Sequence, residues 1–266
     1  MTLLLGFYAF AIGAIVGSFL NVVIHRYPRE ESIVFPGSHC PRCNAAIRWF
    51  DNIPILSFLA LGGRCRVCRN GISWRYPLVE LANGLFYLAT FLRTGPTVGF
   101  LFVATLISMM IVLIYIDADI QILPDVIDLP GIAIGLGAAA LGVGILSPSL
   151  MLADSLLDSF LGALLGAGIP LAIIGIYWLV RRIEGMGLGD VKMLAMIGAM
   201  LGIRGLIEVI LLGSIIGALV GIPAAVRSDR GMQLPLPFGV FLGLASLGVL
   251  FFGQDLSAWW FNAFMR

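Results

Sequence analysis

Apolar runs about as long as a bilayer is thick recur along this chain. They constrain its fold more than any other feature. The runs cover residues 3–24, 77–92, 99–116, 126–146, 157–180, 191–202, 206–226 and 236–252. A membrane-crossing helix needs ~20 apolar residues. Of the 266 residues, 60% are hydrophobic and 12% are charged, about half the charge of an average soluble domain. That balance excludes a soluble globule, and the wealth of apolar surface excludes a disordered chain. Backbone polar groups in lipid must be satisfied internally, and the runs are continuous rather than alternating, so they predict helices. The expected fold is an all-α polytopic membrane protein with about eight transmembrane helices. The run at 191–202 is short for ~30 Å of hydrocarbon unless Asp190 and the glycines before it lie at membrane depth.

One long polar stretch interrupts this pattern. Between Arg26 and Arg75 lie eight of the 16 basic residues, three acids (Glu30, Glu31 and Asp51) and all four cysteines. Lys and Arg in short loops mark the cytoplasmic side. With the insert inside, Arg181, Arg182, Lys192, Arg227 and Arg230 are also inside, and only Arg93, Arg204 and Arg266 fall outside. This predicts both termini outside and a cytoplasmic insert. The domain reading is a first transmembrane helix at 1–25, an insert at 26–76 and a multi-helix transmembrane core at 77–266. A net charge of +1 gives no reason to expect a nucleic-acid partner; the bilayer is the expected partner.

The cysteines form two CxxC pairs, Cys40-Pro41-Arg42-Cys43 and Cys65-Arg66-Val67-Cys68. Each pair offers two thiolates from one tight turn, and two such turns make a tetrahedral sulfur site suited to zinc. An insert of this size has little core, so a structural metal would supply folding energy. Disulfides are disfavoured in a reducing cytoplasm. A redox CxxC would occur once, on a βα unit. A fully sulfur-ligated metal has no open position for catalysis, and His39 beside Cys40 reads as a loop histidine.

Acids crowd the ends of two runs. The third run closes on Asp117, Asp119 and, past Leu123-Pro124, Asp125. The loop before the sixth run reads Glu184-Gly185-Met186-Gly187-Leu188-Gly189-Asp190. The predicted topology brings Asp117 and Asp190 to the same membrane face. Ionisable groups near hydrocarbon are costly and are function candidates by default. The alternating glycines permit positive φ and close backbone approach. Neither a dinucleotide loop nor a phosphate loop fits the spacing. Two facing carboxylates can share one proton, leaving one as base and the other as acid, which is the chemistry of aspartic proteolysis. The same acids would also serve an ion or proton pathway, and residue chemistry alone leaves both readings open. Asp119, Asp125 and Asp128 read as solvated loop acids or helix caps. His25 and His39, the two histidines, do not complete a serine–histidine–acid set.

Several motifs in order resemble the type IV prepilin peptidases, bifunctional leader peptidases and N-methyltransferases. They are Gly17-Ser18-Phe19-Leu20-Asn21-Val22-Val23-Ile24-His25-Arg26, Pro36 to Cys43, Asp51 to Phe58, the second CxxC, Ile72 to Glu80, Asp117 with Leu123-Pro124-Asp125, and Gly187-Leu188-Gly189-Asp190 with Lys192. The resemblance implies that Asp117 and Asp190 are the catalytic pair. It implies cleavage of prepilins or pseudopilins after a glycine at the cytoplasmic face of the bacterial inner membrane. The new N-terminus would then be methylated from S-adenosylmethionine. Gly187 and Gly189 would line a cleft narrow enough for a small residue, and Glu184, Asp119 and Asp125 would attract a basic leader. Asn21, Arg26 and Glu80 lie near span ends and read as interhelical hydrogen-bonding groups rather than cofactor ligands.

Overall fold

The computed structural model describes residues 2–182, 187–227 and 236–264. Nine α-helices occur among them: α1 (Thr2–Arg26), α2 (Leu56–Ala60), α3 (Arg75–Thr94), α4 (Val98–Ile120), α5 (Asp125–Ala140), α6 (Val143–Leu146), α7 (Leu156–Arg181), α8 (Leu188–Arg227) and α9 (Phe238–Phe264). The described residues hold no β-strand, only the isolated bridges His39–Ala46 and Arg64–Gly71. The all-α expectation therefore holds. Five helical segments are long and apolar enough to cross a membrane: Thr2–Arg29, Val98–Ile120, Leu156–Val180, Leu188–Arg227 and Phe238–Trp259. Arg230 and Arg266, on which the predicted topology also draws, lie outside the described residues.

The expected count of eight spans exceeds this by three: the run at 77–92 forms α3, which is not among the five, and the other two differences are instructive. The run at 126–146 is not one helix: α5 ends at Ala140, and Gly142 turns the chain with φ 67° before α6. The runs at 191–202 and 206–226 are joined in α8. A straight 40-residue helix would be about 60 Å long, twice the hydrocarbon thickness. It bends instead at Gly202, where φ is 69° and ψ is −175°. The bend frees backbone donors, and Asp158 of α7 accepts from the N–H of Ile203 at 3.0 Å. A side chain at Gly202 would collide with that carboxylate. Hydropathy alone does not separate such a kink from a loop.

The chain divides into two compact units. The first comprises residues 1–96 and 103–112. Here α1 and α3 pack with their backbones close together. A Cβ at Gly13 would lie 2.7 Å from Tyr87 Cβ, and one at Gly17 would lie 2.8 Å from Glu80 Cα. Asn83 donates to the Gly13 carbonyl at 2.7 Å and accepts from Ser108 at 3.2 Å. Such polar links between close-packed apolar helices suit a membrane interior. Asn21 donates to the Tyr76 carbonyl, and buried Arg26 donates to the carbonyls of Ser32 and Gly37. Both residues are thus spent on structure, as their place at a span end suggests.

The second unit comprises residues 97–102 and 113–266. Gly162 and Gly166 of α7 face the backbone of α8 at Gly198 and Leu194, and Gly135 of α5 faces Ala199. Met193, Met196, Ile197, Leu206 and Leu242 are fully buried. By contrast, Ile173, Ile176, Leu219 and Val226 are exposed. Such apolar outer faces are what lipid-facing helices present.

Candidate active site and metal centre

Asp117 lies in the last turn of α4. Gln121 ends that helix in the left-handed region, its N–H donating to the Asp117 carbonyl at 2.9 Å. The chain then passes through Leu123 and Pro124 into α5. The Asp117 carboxylate is buried, 4% exposed, and its Oδ2 accepts from the N–H of Val240 at 2.9 Å. Val240 is in the first turn of α9, where backbone donors have no partner within the helix. The start of α9 therefore holds this carboxylate in a fixed orientation.

Asp190 is half-buried in the first turn of α8. Leu123 connects the two acids' surroundings. A Cβ at Gly189 would lie 3.0 Å from Leu123 Cβ, and one at Gly239 would lie 3.1 Å from Leu123 Cδ1 and 2.9 Å from Asp117 Oδ2. One buried leucine thus touches the residue before Asp190 and the glycine against Asp117. The charge of Asp117 also acts on Asp190. The surroundings of these acids, 73 positions apart in the chain, thus meet at Leu123.

The glycines work differently from the expectation. Gly189, in the first turn of α8, does not have a positive φ. Gly189 is needed for space, because Leu123 fills the place of its side chain. Gly187 is open: a Cβ there would come no nearer than 3.8 Å to Asp190 Oδ2. Glu184 and Gly185 lie outside the described residues. Gly239 and Val240 are site residues that the sequence reading misses. The signal for them is Pro237 just before an apolar run, which marks a helix start with unpaired N–H groups.

The neighbouring acids divide sharply. Asp119 is exposed. Asp125 is exposed and held by Lys192, whose Nζ reaches its two oxygens at 2.6 and 2.7 Å. Asp128 corrects the reading of a solvated acid or cap: it is 0% exposed, and neither carboxylate oxygen has a hydrogen-bond partner. One turn into α5, it faces the bundle rather than water.

The cysteine turns repeat the same geometry. Cys40 N–H donates to Ala45 and its carbonyl accepts from Asn44, while Cys65 N–H donates to Asn70 and its carbonyl accepts from Arg69. Asn44 and Arg69 both have positive φ, 54° and 59°. The four sulfurs lie within 4.8 Å of one another, and Cys40 and Cys68 are 3.8 Å apart at Sγ. Four sulfurs at 2.3 Å around a tetrahedral metal are about 3.8 Å apart, whereas a disulfide requires ~2.05 Å. The N–H groups of Arg42 and Cys43 lower the Cys40 thiol pKa to about 6. Those of Cys68 and Val67 lower that of Cys65. The Asn70 N–H likewise favours the Cys68 thiolate, but burial and the three neighbouring sulfurs outweigh it and raise that thiol to about 11; a cation among the four sulfurs would offset this crowding. His39 bonds through Nδ1 to the Gly37 carbonyl at 3.0 Å, as a loop histidine would.

Beside the cluster, the insert encloses a cavity of about 650 Å³. Arg48, Asp51, Phe58, Tyr76 and Glu80 are among its walls. Glu80 is buried and accepts from the Ile55 N–H at 2.8 Å. Asp51 is held bidentately by Arg66 at 2.6 and 2.7 Å, which keeps its carboxyl below the usual carboxylate range.

Comparison with known families defines the class. The bacterial peptidase A24 N-terminal domain matches residues 11–94, and the type IV leader peptidase family matches residues 104–222. The chain belongs to the type IV leader peptidase family. Among its relatives is a prepilin leader peptidase/N-methyltransferase of Burkholderia pseudomallei, 35% identical over 271 residues, covering 92% of this chain and 85% of the relative. Proteins described in the same words from Aeromonas hydrophila and Pseudomonas putida are 36% and 37% identical. They cover 96% and 94% of this chain and 93% and 91% of their own lengths. No solved structure matches. With its apolar helices, the chain is a multi-pass membrane peptidase.

Proposed function

We propose that the chain removes the leader of prepilins or pseudopilins with Asp117 and Asp190 as the catalytic pair, and then methylates the new N-terminus. The observation that carries the first half is the shared wall of Leu123, Gly189 and Gly239 between the two acids. Two carboxylates at one site hold one proton between them. The ionised member takes a proton from water as the water oxygen bonds the scissile carbonyl carbon. The protonated member then supplies a proton to the amide nitrogen as the C–N bond breaks. Gly187, exposed at this site, and Gly189 leave room for the small residue before the cleaved bond. A transporter's ion pathway is not favoured, given the family.

The relatives' methyltransferase activity requires a methyl donor, and S-adenosylmethionine supplies an activated methyl group. The insert cavity is of a size that encloses such a molecule, since ligand pockets run about 300–1,000 Å³. Its donor set also fits: the buried Glu80 carboxylate suits ribose hydroxyls, Phe58 and Tyr76 suit an adenine face, and Arg48 suits the amino-acid carboxylate. Zinc at Cys40, Cys43, Cys65 and Cys68 would hold the wall of this cavity in shape.

The charge distribution supports a bacterial inner-membrane protein with both termini outside. In this arrangement residues 26–76 form the cytoplasmic insert, following the first span at 1–25, and residues 77–266 form the protease core. The test is incubation of the purified protein in detergent with a prepilin, read by mass. Leader loss followed by a methyl gain is expected. Normal cleavage by Asp117→Ala or Asp190→Ala would overturn the assigned pair.

A further inference from the structure

Where the insert meets α1 there is a second, smaller hollow, a groove of about 330 Å³. One wall is the second half of α1, where Ile15, Ser18, Phe19 and Val22 line the groove. Their spacing sets them on one face of the helix. It is not the face that packs on α3, where Gly13 and Gly17 lie. Ile15 and Phe19 are exposed within a membrane span, at 61% and 50%. A chain lying in the bilayer can therefore reach the groove from the side. The facing wall comes from the insert and includes Val34, Ser38, Asn52 and Pro54.

The segment from Asn52 to Ile55 separates this groove from the larger insert cavity. Asn52 lines both hollows, so the partition there is one residue thick. Pro54 lines the groove, whereas the N–H of Ile55 is given to Glu80, a wall of the cavity, at 2.8 Å. Ile55 does this with φ 62° and ψ −51°, a region in which a β-branched residue is an outlier. Backbone held in such a region clusters at functional sites. From the α1 side, Gly17 closes on the same acid: a Cβ there would lie 2.8 Å from Glu80 Cα.

The groove is at the small end of ligand pockets, which run about 300–1,000 Å³. It suits a ligand with an apolar body lying against α1 and a small polar head. Ser18, Ser38 and Asn52 offer that head uncharged oxygen acceptors. Arg26 also lines the groove, its guanidinium given to the carbonyls of Ser32 and Gly37. A fixed cation disfavours a second positive charge beside it, so an amine ending here is favoured in its neutral, nucleophilic form. We propose that this groove is the acceptor subsite for methylation, taking the first residue of the cleaved apolar helix with its side chain against Ile15, Phe19 and Val22 and its α-amino nitrogen toward Asn52. The nitrogen lone pair bonds to the donor's methyl carbon as the C–S bond breaks. The electron pair of that bond stays on sulfur, and the excess proton on nitrogen passes to water. The proposal rests on the reading of the insert cavity as the methyl donor's site.

The probe is a synthetic apolar helix beginning with phenylalanine, supplied already cleaved to the full chain in detergent. With a photoactivatable phenylalanine at its first position, crosslinks read by mass should fall within residues 15–22 and 33–38. Phe19→Ala should raise KM for methylation of the phenylalanine peptide about tenfold, with kcat little changed. A peptide beginning with alanine should show a similar rise on wild type. Combining the two changes should cost little more than either alone, because both remove the same contact. If Phe19 served only the fold, the two losses would multiply. Multiplied losses, or crosslinks outside the groove, overturn the proposal. A photoactivatable phospholipid that labels the groove and is not displaced by the peptide overturns it as well. Crosslinking needs no methyl donor, so its outcome is separate from the reading of the insert cavity. That reading fails by a different result, S-adenosylhomocysteine binding that Tyr76→Ala leaves unchanged.

Discussion

The cysteine cluster draws its four sulfurs from residues 40–68, inside one insert, whereas the proposed acid pair draws on α4 and α8, with the start of α9 against Asp117. In the first region two similar tight turns present ligands, and a metal would supply much of the energy that holds them together. In the second, glycine-mediated helix packing supplies the geometry, and the polar groups are placed at its cost. A site of the first kind fails when its ligand is withdrawn. A site of the second kind fails when a helix is displaced by a fraction of an ångström.

The largest expected effect separates the two regions by activity. Asp117→Asn and Asp190→Asn should each reduce leader cleavage by about 10³-fold, within the range for loss of general acid–base catalysis. Methylation of a peptide supplied already cleaved should survive in both variants. If methylation of that peptide falls as far as cleavage, the two activities share one site and the comparison breaks down.

Next comes removal of the metal. Chelation, or Cys65→Ser, should abolish binding of S-adenosylhomocysteine measured by calorimetry and stop methylation. Cleavage should persist at a large part of the wild-type rate, because the Asp117–Val240 contact lies in the other unit. An equal fall of both activities would mean that the insert supports the whole fold.

A smaller effect is expected from one methyl group. A Cβ at Gly239 would stand 2.9 Å from Asp117 Oδ2, so Gly239→Ala must push that carboxylate aside. Misplacement of a reacting group by about 1 Å can cost up to ~10²-fold, and a loss of about tenfold in kcat is expected here. Unchanged kcat would show that Asp117 is less tightly placed than its Val240 hydrogen bond implies.

These two regions also differ in how far they can be read before folding. The CxxC pairs declare their chemistry locally, because ligand type and spacing sit within a few residues. Asp117 and Asp190 stand out as candidates from charge against hydrocarbon, and family resemblance selects Asp117 over Asp119. The orientation of α4 shows the physical difference: Asp117 is buried while Asp119, two residues on, is exposed. Gly239 and Asp128 escape a sequence reading because their importance depends on which helix packs where. Asp128 in particular looks like Asp125 in sequence, three positions away in the same first turn. Only the rotation of α5 on α8 puts one in solvent with Lys192 and the other in the core. The kink at Gly202 escapes for a similar reason, since Asp158, which occupies the space beside it, lies 44 positions earlier.

The smallest effect concerns the charge at the edge of the acid region. The sequence leads a basic leader to Asp125 as a free acid, yet Lys192 already holds it. The pair is exposed, with side-chain accessibilities of 35% and 58%, so it contributes little to stability. Replacing Lys192 with Gln would release the Asp125 carboxylate to a basic peptide. Exposed ion pairs are worth about 0.2–1 kcal/mol, which corresponds to a fall in KM of roughly fivefold at most. The gain should disappear in high salt, since screening acts within ~10 Å at 0.1 M. It should also be absent for a leader whose lysines and arginines are replaced by glutamine. A rise in KM instead would place Lys192 itself among the groups that position the peptide, and would join the edge of the site to the part that does the chemistry.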